Sequence, residues 1–348
     1  MSIVFHAVNR RGLGHAVRAG ALIQAIQAQD AQVDCLLATS HDLPAGLLPE
    51  SVRWVRVGAD ALDLDSIRGL GGEVVVFDTV VPKGWREIIA AAGGGRGARV
   101  VLVLRELRLD ALVRLRSHPI VAQLAAVIVP HRPEEFDPAL PGTTHVGPIA
   151  RRGTSAALGH VEAVDVLSTA GGGGHRALCE PFVAQVLAAD RGLRQRGYAF
   201  RHLLVTGPRY EGTILDPGPV EVRRFEPALP EWIAAAGLVV SRAGYNTVAE
   251  IQAAGTPAIL IPADPGLDDQ RGRAARLAQS QQATCVEPGD VDGLAAVMAR
   301  HLDEERHKVA SVPRSNGHRG GGGFTRGAEL AAARILALAR IPIDVAHA

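Results

Sequence analysis

Short apolar runs alternate with longer amphipathic or polar stretches along the whole 348-residue chain. The runs are rich in valine, isoleucine and leucine, which is typical of buried β-strands. Strands that alternate with helices form a parallel sheet with both faces covered, so the pattern predicts an α/β protein. The predicted strands occupy residues 2–8, 33–38, 52–57, 74–77, 100–104, 126–129, 165–168, 200–205, 238–240 and 282–286.

Helical spacing of apolar residues separates many of these strands. Ala19, Leu22, Ile23 and Ile26 fall on one face of a predicted helix. Pro181 is typical of the first residue of another helix, because its missing N–H needs no partner there. Two further helices are predicted over residues 291–302 and 325–338.

The length of the chain predicts more than one domain. With 47% hydrophobic residues, 348 residues can bury two cores of ordinary size. The stretch 145–162 carries small and charged residues without a clear period, which is typical of a linker. We predict an N-terminal domain over residues 1–148, a linker over 149–163, a C-terminal domain over 164–324 and a final helical segment over 325–348.

Composition and charge argue against several classes of protein. The 37 basic and 36 acidic residues give a net charge of +1 and no reason to expect nucleic-acid binding. No run approaches the roughly 20 apolar residues that span a bilayer, and the N-terminus lacks the features of a cleaved signal, so we expect a cytoplasmic protein without a transmembrane segment. Cys35, Cys179 and Cys285 are too far apart for a disulfide framework or a zinc site and are expected in the core.

One strand-turn-helix unit in the second half carries the clearest chemistry. The strand 238–240 leads through a turn with Gly244 into a helix that Gly255 ends. The N–H groups at a helix N-terminus, here beside Asn246 and Thr247, can bind a phosphate group.

Two charged residues flank this turn. Arg242 precedes it and would add full positive charge, while Glu250 lies one turn into the helix and could accept two hydrogen bonds from a ribose diol. The alternative interpretation of the whole unit is an ordinary strand and helix joined by an N-cap.

Two further turns attract attention for their glycines. Gly12-x-Gly14-x-x-Val17 lacks the third glycine of the dinucleotide fingerprint, so a nicotinamide or flavin cofactor is not expected. His15 lies directly after these glycines and is a candidate functional residue. The glycines from 171 to 174, followed by His175, would let backbone N–H groups approach an anion, although no Gly-Lys-Ser/Thr ending makes them an NTPase loop. A third glycine-rich run, 318–323, is interpreted as a linker, with closure over a substrate as the alternative.

The unit after strand 238–240 resembles the donor-binding signature of GT-B glycosyltransferases. Residues 242–250 read Arg-Ala-Gly-Tyr-Asn-Thr-Val-Ala-Glu and are followed by Gly255-x-Pro257 and Asp269-Gln270. This is similar to His-Cys-Gly-Trp-Asn-Ser-x-x-Glu, ending in Asp-Gln, in plant and antibiotic enzymes. It is also similar to Arg-Ser-Gly-x-x-Thr-x-x-Glu in the bacterial family 28 transferase of lipid II synthesis.

The resemblance implies two Rossmann-like doubly wound domains that face each other across a cleft, with a C-terminal helix that crosses back to the first domain. The second domain would bind the nucleotide-sugar through its diphosphate, ribose, sugar and base. Arg273 stands where plant enzymes have asparagine, within a segment that resembles a bacterial branch of predicted glycosyltransferases. The implied diphosphate contacts are Gly171, Gly172, Gly173, Gly174, Arg242, Gly244, Asn246 and Thr247; Glu250 would hold the ribose, Asp269 and Gln270 the sugar, and Phe225 the base unless it packs in the core.

The first domain would bind the acceptor. Gly14-His15 resembles the Gly-His pair of these enzymes, in which histidine is the general base that deprotonates the acceptor hydroxyl, a role that suits an imidazole. The segment from Asp78 loosely resembles one whose aspartate orients that histidine, and the alternative is an aspartate that caps a loop. Arg18 and Glu106 are also expected on the acceptor side, with Glu106 as the second candidate for orienting His15.

The expected function is therefore glycosyl transfer, without a metal or other cofactor, from a nucleotide-sugar to a hydroxyl group. A UDP-sugar is the expected donor, and the expected acceptor is a soluble small molecule such as a natural product, with a lipid-linked sugar second. Two alternatives remain: a UDP-sugar hydrolase of nonulosonic-acid synthesis, in which His15 would activate water, and a nucleotide-sugar-binding subunit without activity of its own. A histidine base favours inversion at the sugar, and a homodimer is one assembly that the sequence leaves open.

Overall fold

A computed structural model describes residues 1–8, 12–58, 72–94, 97–151, 161–174, 176–263, 268–311 and 326–342. The chain divides into two compact units, Met1–Arg151 with Thr325–Ala348 and Arg152–Phe324. Three predictions fall outside the described residues: His175 of the glycine-rich turn, residues 152–160 of the linker and the run 318–323.

The first unit contains a seven-stranded parallel sheet. Its strands are β1 (Ser2–Ala7), β2 (Asp34–Thr39), β3 (Arg53–Arg56), β4 (Val74–Asp78), β5 (Arg99–Val103), β6 (Leu124–Val129) and β7 (Thr143–His145). They lie in the order β3-β2-β1-β4-β5-β6-β7 and every neighbouring pair is parallel. The order reverses between β1 and β4, and ligands bind at such reversal points in open α/β sheets, beyond the carboxyl ends of the strands.

The second unit repeats this arrangement with six strands. They are β8 (Val166–Thr169), β9 (His202–Val205), β10 (Glu221–Arg223), β11 (Leu238–Ser241), β12 (Ala258–Leu260) and β13 (Ala283–Cys285). Their order is β10-β9-β8-β11-β12-β13, again all parallel, with the reversal between β8 and β11. The prediction of two doubly wound parallel sheets is confirmed.

Helices cover both faces of each sheet. They are α1 (Gly14–Gln29), α2 (Trp85–Ala92), α3 (Leu109–Arg116), α4 (Arg176–Gln195), α5 (Leu229–Ala235), α6 (Tyr245–Ala254), α7 (Gln270–Gln279), α8 (Val291–Ser311) and α9 (Gly327–Ala339), with a short 3₁₀ helix at Pro119–Gln123. Although α9 is last in the chain, it packs against α1 in the first unit.

Each sheet separates two hydrophobic cores, because successive side chains of a strand point to opposite faces. In β4, Val74 and Val76 belong to the core beneath α1 and α9, whereas Val75 and Phe77 belong to the core beneath α2. The second unit likewise has one core beneath α4 and α8 and another beneath α5, α6 and α7. Strands buried on both faces explain the uninterrupted apolar runs of the sequence.

Two sequence predictions are wrong. Helix α4 begins at Arg176 and contains Pro181, so this proline does not mark its first residue; the helix forgoes one backbone hydrogen bond there. Cys285 is exposed, whereas Cys35 and Cys179 are buried. Its exposure follows from its place at the end of β13, which is an edge strand of the second sheet.

Candidate active site

The reversal point of the first sheet brings His15 and Asp78 into contact. His15 is the second residue of α1, which follows β1, and Asp78 is the last residue of the neighbouring strand β4. Nδ1 of His15 lies 2.9 Å from Oδ1 of Asp78 and 3.1 Å from its carbonyl oxygen. The imidazole keeps 12% of its surface exposed, while the carboxylate keeps 4%.

These contacts determine which nitrogen of His15 carries the proton in the neutral ring. Both neighbours of Nδ1 are oxygens of Asp78 that can only accept a hydrogen bond when the carboxyl group is ionised. Nδ1 must therefore be the donor, and the lone pair of the neutral imidazole lies on Nε2. This is the tautomer that a general base requires.

Arg18 binds both oxygens of the same Asp78 carboxylate. Its Nε donates to Oδ2 of Asp78 at 2.9 Å, and its Nη2 donates to Oδ1 of Asp78 and, at 3.2 Å, to Oγ1 of Thr79. Burial alone would raise the pKa of the Asp78 carboxyl, but the charges and hydrogen bonds of Arg18 and His15 outweigh burial and hold that pKa well below its usual range. Asp78 is therefore an anion at neutral pH.

The remaining candidates of the first unit have other surroundings. Gly14 is the first residue of α1. Glu106 is 4% exposed, and its backbone N–H donates to Nε2 of His131 at 3.1 Å. Arg18, which the sequence suggests on the acceptor side, is 2% exposed and faces Asp78 instead. The structure thus places Asp78 against His15, and Arg18 behind Asp78.

The reversal point of the second sheet brings the glycine-rich turn next to α6. The turn follows β8 and α6 follows the neighbouring strand β11, with Thr169 opposite Ser241. A Cβ placed on Gly171 would lie 3.9 Å from Oγ1 of Thr247, so the two segments are in contact range. Gly171 and Gly173 both have positive φ, at 72° and 74°.

The backbone of this turn packs directly against the backbone of the loop after β9. A Cβ on Gly173 would lie 2.6 Å from the nitrogen of Tyr210 and 3.0 Å from the carbonyl oxygen of Thr206. A Cβ on Gly207 would lie 2.3 Å from the carbonyl oxygen of Gly171 and 2.5 Å from the nitrogen of Gly173. Glycine at these positions is therefore needed to shape the turn that would receive an anion.

Helix α6 begins without a side-chain cap. Its N-cap residue is Gly244, which has no side chain to accept from the first N–H groups. The N–H groups of Tyr245, Asn246 and Thr247 precede the first intrahelical bond, from the nitrogen of Val248 to the carbonyl oxygen of Gly244. Gly244 thus occupies the N-cap position without a side-chain cap hydrogen bond.

Arg242 lies buried between this turn and α4. It is 9% exposed, and its Nη1 is 3.2 Å from Sγ of Cys179. Among the described residues its Nε has no hydrogen-bond partner, and no carboxylate forms an ion pair with it. A buried guanidinium without a counter-charge is costly, so an anion bound nearby would stabilise it.

The two residues expected to hold the sugar are engaged by their own segment. The Gln270 amide accepts from the nitrogen of Ala263 at 3.1 Å and donates to Oδ2 of Asp268 at 3.3 Å. The Asp269 carboxylate caps α7 by accepting from the nitrogen of Gly272 at 2.9 Å. Residues 264–267 lie outside the described residues.

Arg273 joins this segment to the start of α6, a role that its sequence position did not reveal. Its guanidinium donates to Asp268 and to the carbonyl oxygen of Ala243, both at 2.6 Å. The sequence feature that marks Arg273 is that plant enzymes have asparagine at the corresponding position. Glu250 is 4% exposed on α6, and Phe225 is half-buried on the loop between β10 and α5, outside the four hydrophobic cores.

The described part of the chain has neither a cluster of metal ligands nor a membrane-spanning helix. No group of three or more His, Cys, Asp and Glu side chains within it could hold a metal ion. None of its helices has the length and apolar character needed to cross a membrane.

Part of the chain matches the model of a known protein family. Residues 173–318 match the glycosyltransferase family 28 C-terminal domain. The UDP-N-acetylglucosamine--N-acetylmuramyl-(pentapeptide) pyrophosphoryl-undecaprenol N-acetylglucosamine transferase of Methylorubrum populi is 38% identical over 122 residues, which are 33% of this chain and 32% of that enzyme. The enzyme of the same name from Exiguobacterium sp. is 31% identical over 121 residues, or 33% of this chain and 34% of that enzyme. The matches thus span about a third of the length of these curated relatives.

Solved structures match almost the whole chain. Spinosyn forosaminyltransferase SpnP superimposes with a TM-score of 0.60 and 18% identity over 97% of this chain and 94% of that one. The glycosyltransferase SnogD from Streptomyces nogalater gives a TM-score of 0.57 and 15% identity over 97% and 99%. The protein therefore has the GT-B fold of glycosyltransferases, as its sequence predicts.

Proposed function

We propose that this protein transfers a sugar from a UDP-sugar to a hydroxyl group of a small-molecule acceptor. The observation that carries the proposal is the family 28 match over residues 173–318, because this segment includes the end of the glycine-rich turn, Arg242 and the N-terminus of α6. The second unit would bind the donor, and the first unit would bind the acceptor and supply the base.

The proposed base is Nε2 of His15. It would take the proton of the acceptor hydroxyl as the oxygen attacks the anomeric carbon, and the bond from that carbon to the donor diphosphate would break. Asp78 supports this step, since its carboxylate keeps the ring in the required tautomer and stabilises the imidazolium that forms. Direct attack by the activated hydroxyl would invert the configuration at the anomeric carbon.

The proposed site for the leaving diphosphate is the reversal point of the second sheet. Arg242 offers a buried positive charge without a carboxylate partner among the described residues. The N–H groups at the start of α6 and in the turn from Gly171 offer donors that need no rearrangement, and preorganised donors of this kind stabilise developing charge.

The choice of donor and acceptor rests on the relatives. UDP-N-acetylglucosamine stands in the names of the curated relatives, which supports a UDP-sugar. Their names also contain a pyrophosphoryl-undecaprenol acceptor, whereas the structural neighbour SpnP is named a spinosyn forosaminyltransferase. We propose a natural-product scaffold as the acceptor and keep a lipid-linked sugar as the second choice.

Thermal unfolding in the presence of UDP, TDP, GDP and ADP tests the donor half of the proposal. A ligand at about 100 times its Kd adds roughly 2.7 kcal/mol to stability. We expect UDP to raise the unfolding temperature and Arg242→Met to abolish that rise. Arg271→Met is the matched control, because Arg271 is half-exposed and pairs with Glu287. No shift with any nucleotide would count against the proposal.

A further inference from the structure

Arg18 is a buried arginine that the proposed reaction does not yet use. It lies on α1, three residues after His15, so both side chains project from the same face of the helix. The guanidinium is 2% exposed and grips the Asp78 carboxylate with both Nε and Nη2. A paired guanidinium and carboxylate form a fork whose geometry is more specific than that of a single hydrogen bond.

Thr79 completes the fixation of the carboxylate. It has a positive φ of 61°, which a β-branched residue rarely adopts. This conformation lets Oγ1 donate to Oδ1 of Asp78 at 3.0 Å and accept from Nη2 of Arg18 at 3.2 Å. The Asp78 carboxylate therefore has donors from Arg18, Thr79 and His15, and the contact with His15 is only one of several that fix its orientation.

A carboxylate beside a histidine makes the histidine less available as a base at neutral pH. It stabilises the protonated imidazole, so the pKa of the histidine rises and less of the free base exists at neutral pH. A permanent positive charge bound to the same carboxylate offsets that effect while leaving the orienting hydrogen bond in place. Arg18 has this position, since it contacts Asp78 and lies in the same helix as His15.

We propose that Arg18 is a positioning residue for His15, which fixes the Asp78 carboxylate and offsets its charge so that His15 stays available as a base. The inference rests on the proposed function, in which His15 deprotonates the acceptor. Among the described residues, titratable groups near this edge of the sheet include His6 on β1, opposite Phe77, Glu106 after β5 and His131 after β6, whose Nε2 accepts from the Glu106 N–H. Arg18 differs from them because it binds the Asp78 carboxylate through both Nε and Nη2.

The direct test is the pKa of His15 measured by NMR titration of the intact protein, with the resonance assigned through a His15→Gln variant. In Arg18→Met the charge of Asp78 is no longer offset, and we expect the pKa of His15 to rise by about one unit. Arg18→Lys keeps the positive charge beside Asp78, so the pKa of His15 should stay near its wild-type value. A folded Arg18→Met protein with an unchanged or lower His15 pKa would overturn the proposal.

Arg194→Met is the matched control. Arg194 grips Asp190 in the second unit in the same forked way, through Nε to Oδ2 at 2.8 Å and Nη2 to Oδ1 at 3.3 Å. Its loss should weaken the second unit and leave the His15 pKa in place. A shift of the His15 pKa in this control equal to that in Arg18→Met would also overturn the proposal.

Arg18→Lys gives a second readout that survives if Arg18→Met does not fold. Lysine offers a single charge in place of the fork, so Asp78 and His15 should be less well aligned. We expect kcat/KM to fall roughly tenfold with the KM for the donor unchanged. Wild-type kcat/KM in Arg18→Lys would contradict the positioning role.

The two kinds of measurement separate this inference from the proposed function. The NMR titration needs no substrate, so the expected pKa shift without any glycosyl transfer would support the role of Arg18 on His15 and count against the transfer reaction. Normal glycosyl transfer without a shift of the His15 pKa in Arg18→Met would support the transfer reaction and count against the role of Arg18.

Discussion

At the scale of single residues, the first unit buries ionisable groups on its central strands β1 and β4, and their surroundings shift their pKa values for different reasons. Asp78 stays charged because Arg18 and His15 compensate its burial. His6, opposite Phe77 on the neighbouring strand, has no such compensation, and burial lowers its pKa to about 4. His6 is therefore neutral when the protein is folded at any pH above that value.

The buried His6 predicts a pH-dependent loss of stability. An unfolded histidine has a pKa near 6.5, so between pH 6.5 and 4 the unfolded chain binds a proton that the folded chain does not. The free energy of unfolding should therefore fall by about 3 kcal/mol from this group as the pH drops through that window. Denaturation of His6→Gln and wild type at pH 7 and pH 4 measures it, since carboxylates that titrate in both proteins cancel. An equal pH dependence in the two proteins would contradict the assignment.

How far the residue scale can be predicted from sequence depends on how local the signal is. His15 and Asp78 stand out because His15 lies at the start of the helix after β1 and Asp78 ends the apolar run of β4, and parallel strands bring their carboxyl ends to one edge. The pairing of Arg18 with Asp78 joins residues that are 60 positions apart, and nothing in the spacing indicates it. The inward-facing amide of Gln270 likewise depends on a tertiary contact, with the backbone of Ala263.

At the scale of elements, the turns that follow the strands of the second sheet shape the proposed donor site. The sequence predicts α6 and its end well, because Gly255 adopts a φ of 69° that favours glycine. It misplaces the start of α4, since Pro181 is tolerated inside a helix that the core beneath it stabilises. Propensity was the weaker influence there.

Gly207 tests whether the shape of the glycine-rich turn matters for the donor. It has a φ of 99°, and an added Cβ would clash with the backbone of Gly171, Gly172 and Gly173. Gly207→Ala should therefore distort the turn and weaken UDP binding at least tenfold, measured by calorimetry. Gly197→Ala is the matched control: its φ is 89° and no atom lies within 4 Å of the added Cβ. It should lose about 1 kcal/mol of stability from strain and keep its affinity for UDP.

At the scale of the whole molecule, the first unit is built from both ends of the chain. The side chains of Ala331, Ala332 and Ile335 on α9 are fully buried in the core that α1 and the first sheet also form. The periodicity of the sequence predicts this helix, while its place in the first unit was implied only by the resemblance to GT-B enzymes. The folding of the first unit therefore depends on residues that lie beyond the second unit in sequence.

Ile335 tests that dependence. Ile335→Ala should cost roughly 2–5 kcal/mol, because it leaves a cavity in a packed core. Leu330→Ala on the same helix is the control, since Leu330 is 49% exposed and its loss should cost little. Hydrogen exchange should show faster opening of β1 and α1 in Ile335→Ala, with β8 and β11 unchanged. Faster exchange confined to the second unit would contradict the assignment of α9 to the first.

The most direct test of the proposed reaction is product analysis with a UDP-sugar and a panel of hydroxyl-bearing acceptors, followed by mass spectrometry. The account predicts one molecule of glycosylated acceptor for each UDP released, with inversion at the anomeric carbon. It also predicts that His15→Ala lowers the rate roughly 10²-fold while UDP binding persists. UDP and free sugar released at the same rate with and without acceptor would contradict glycosyl transfer and indicate a hydrolase, and near-normal turnover in His15→Ala would rule out His15 as the base.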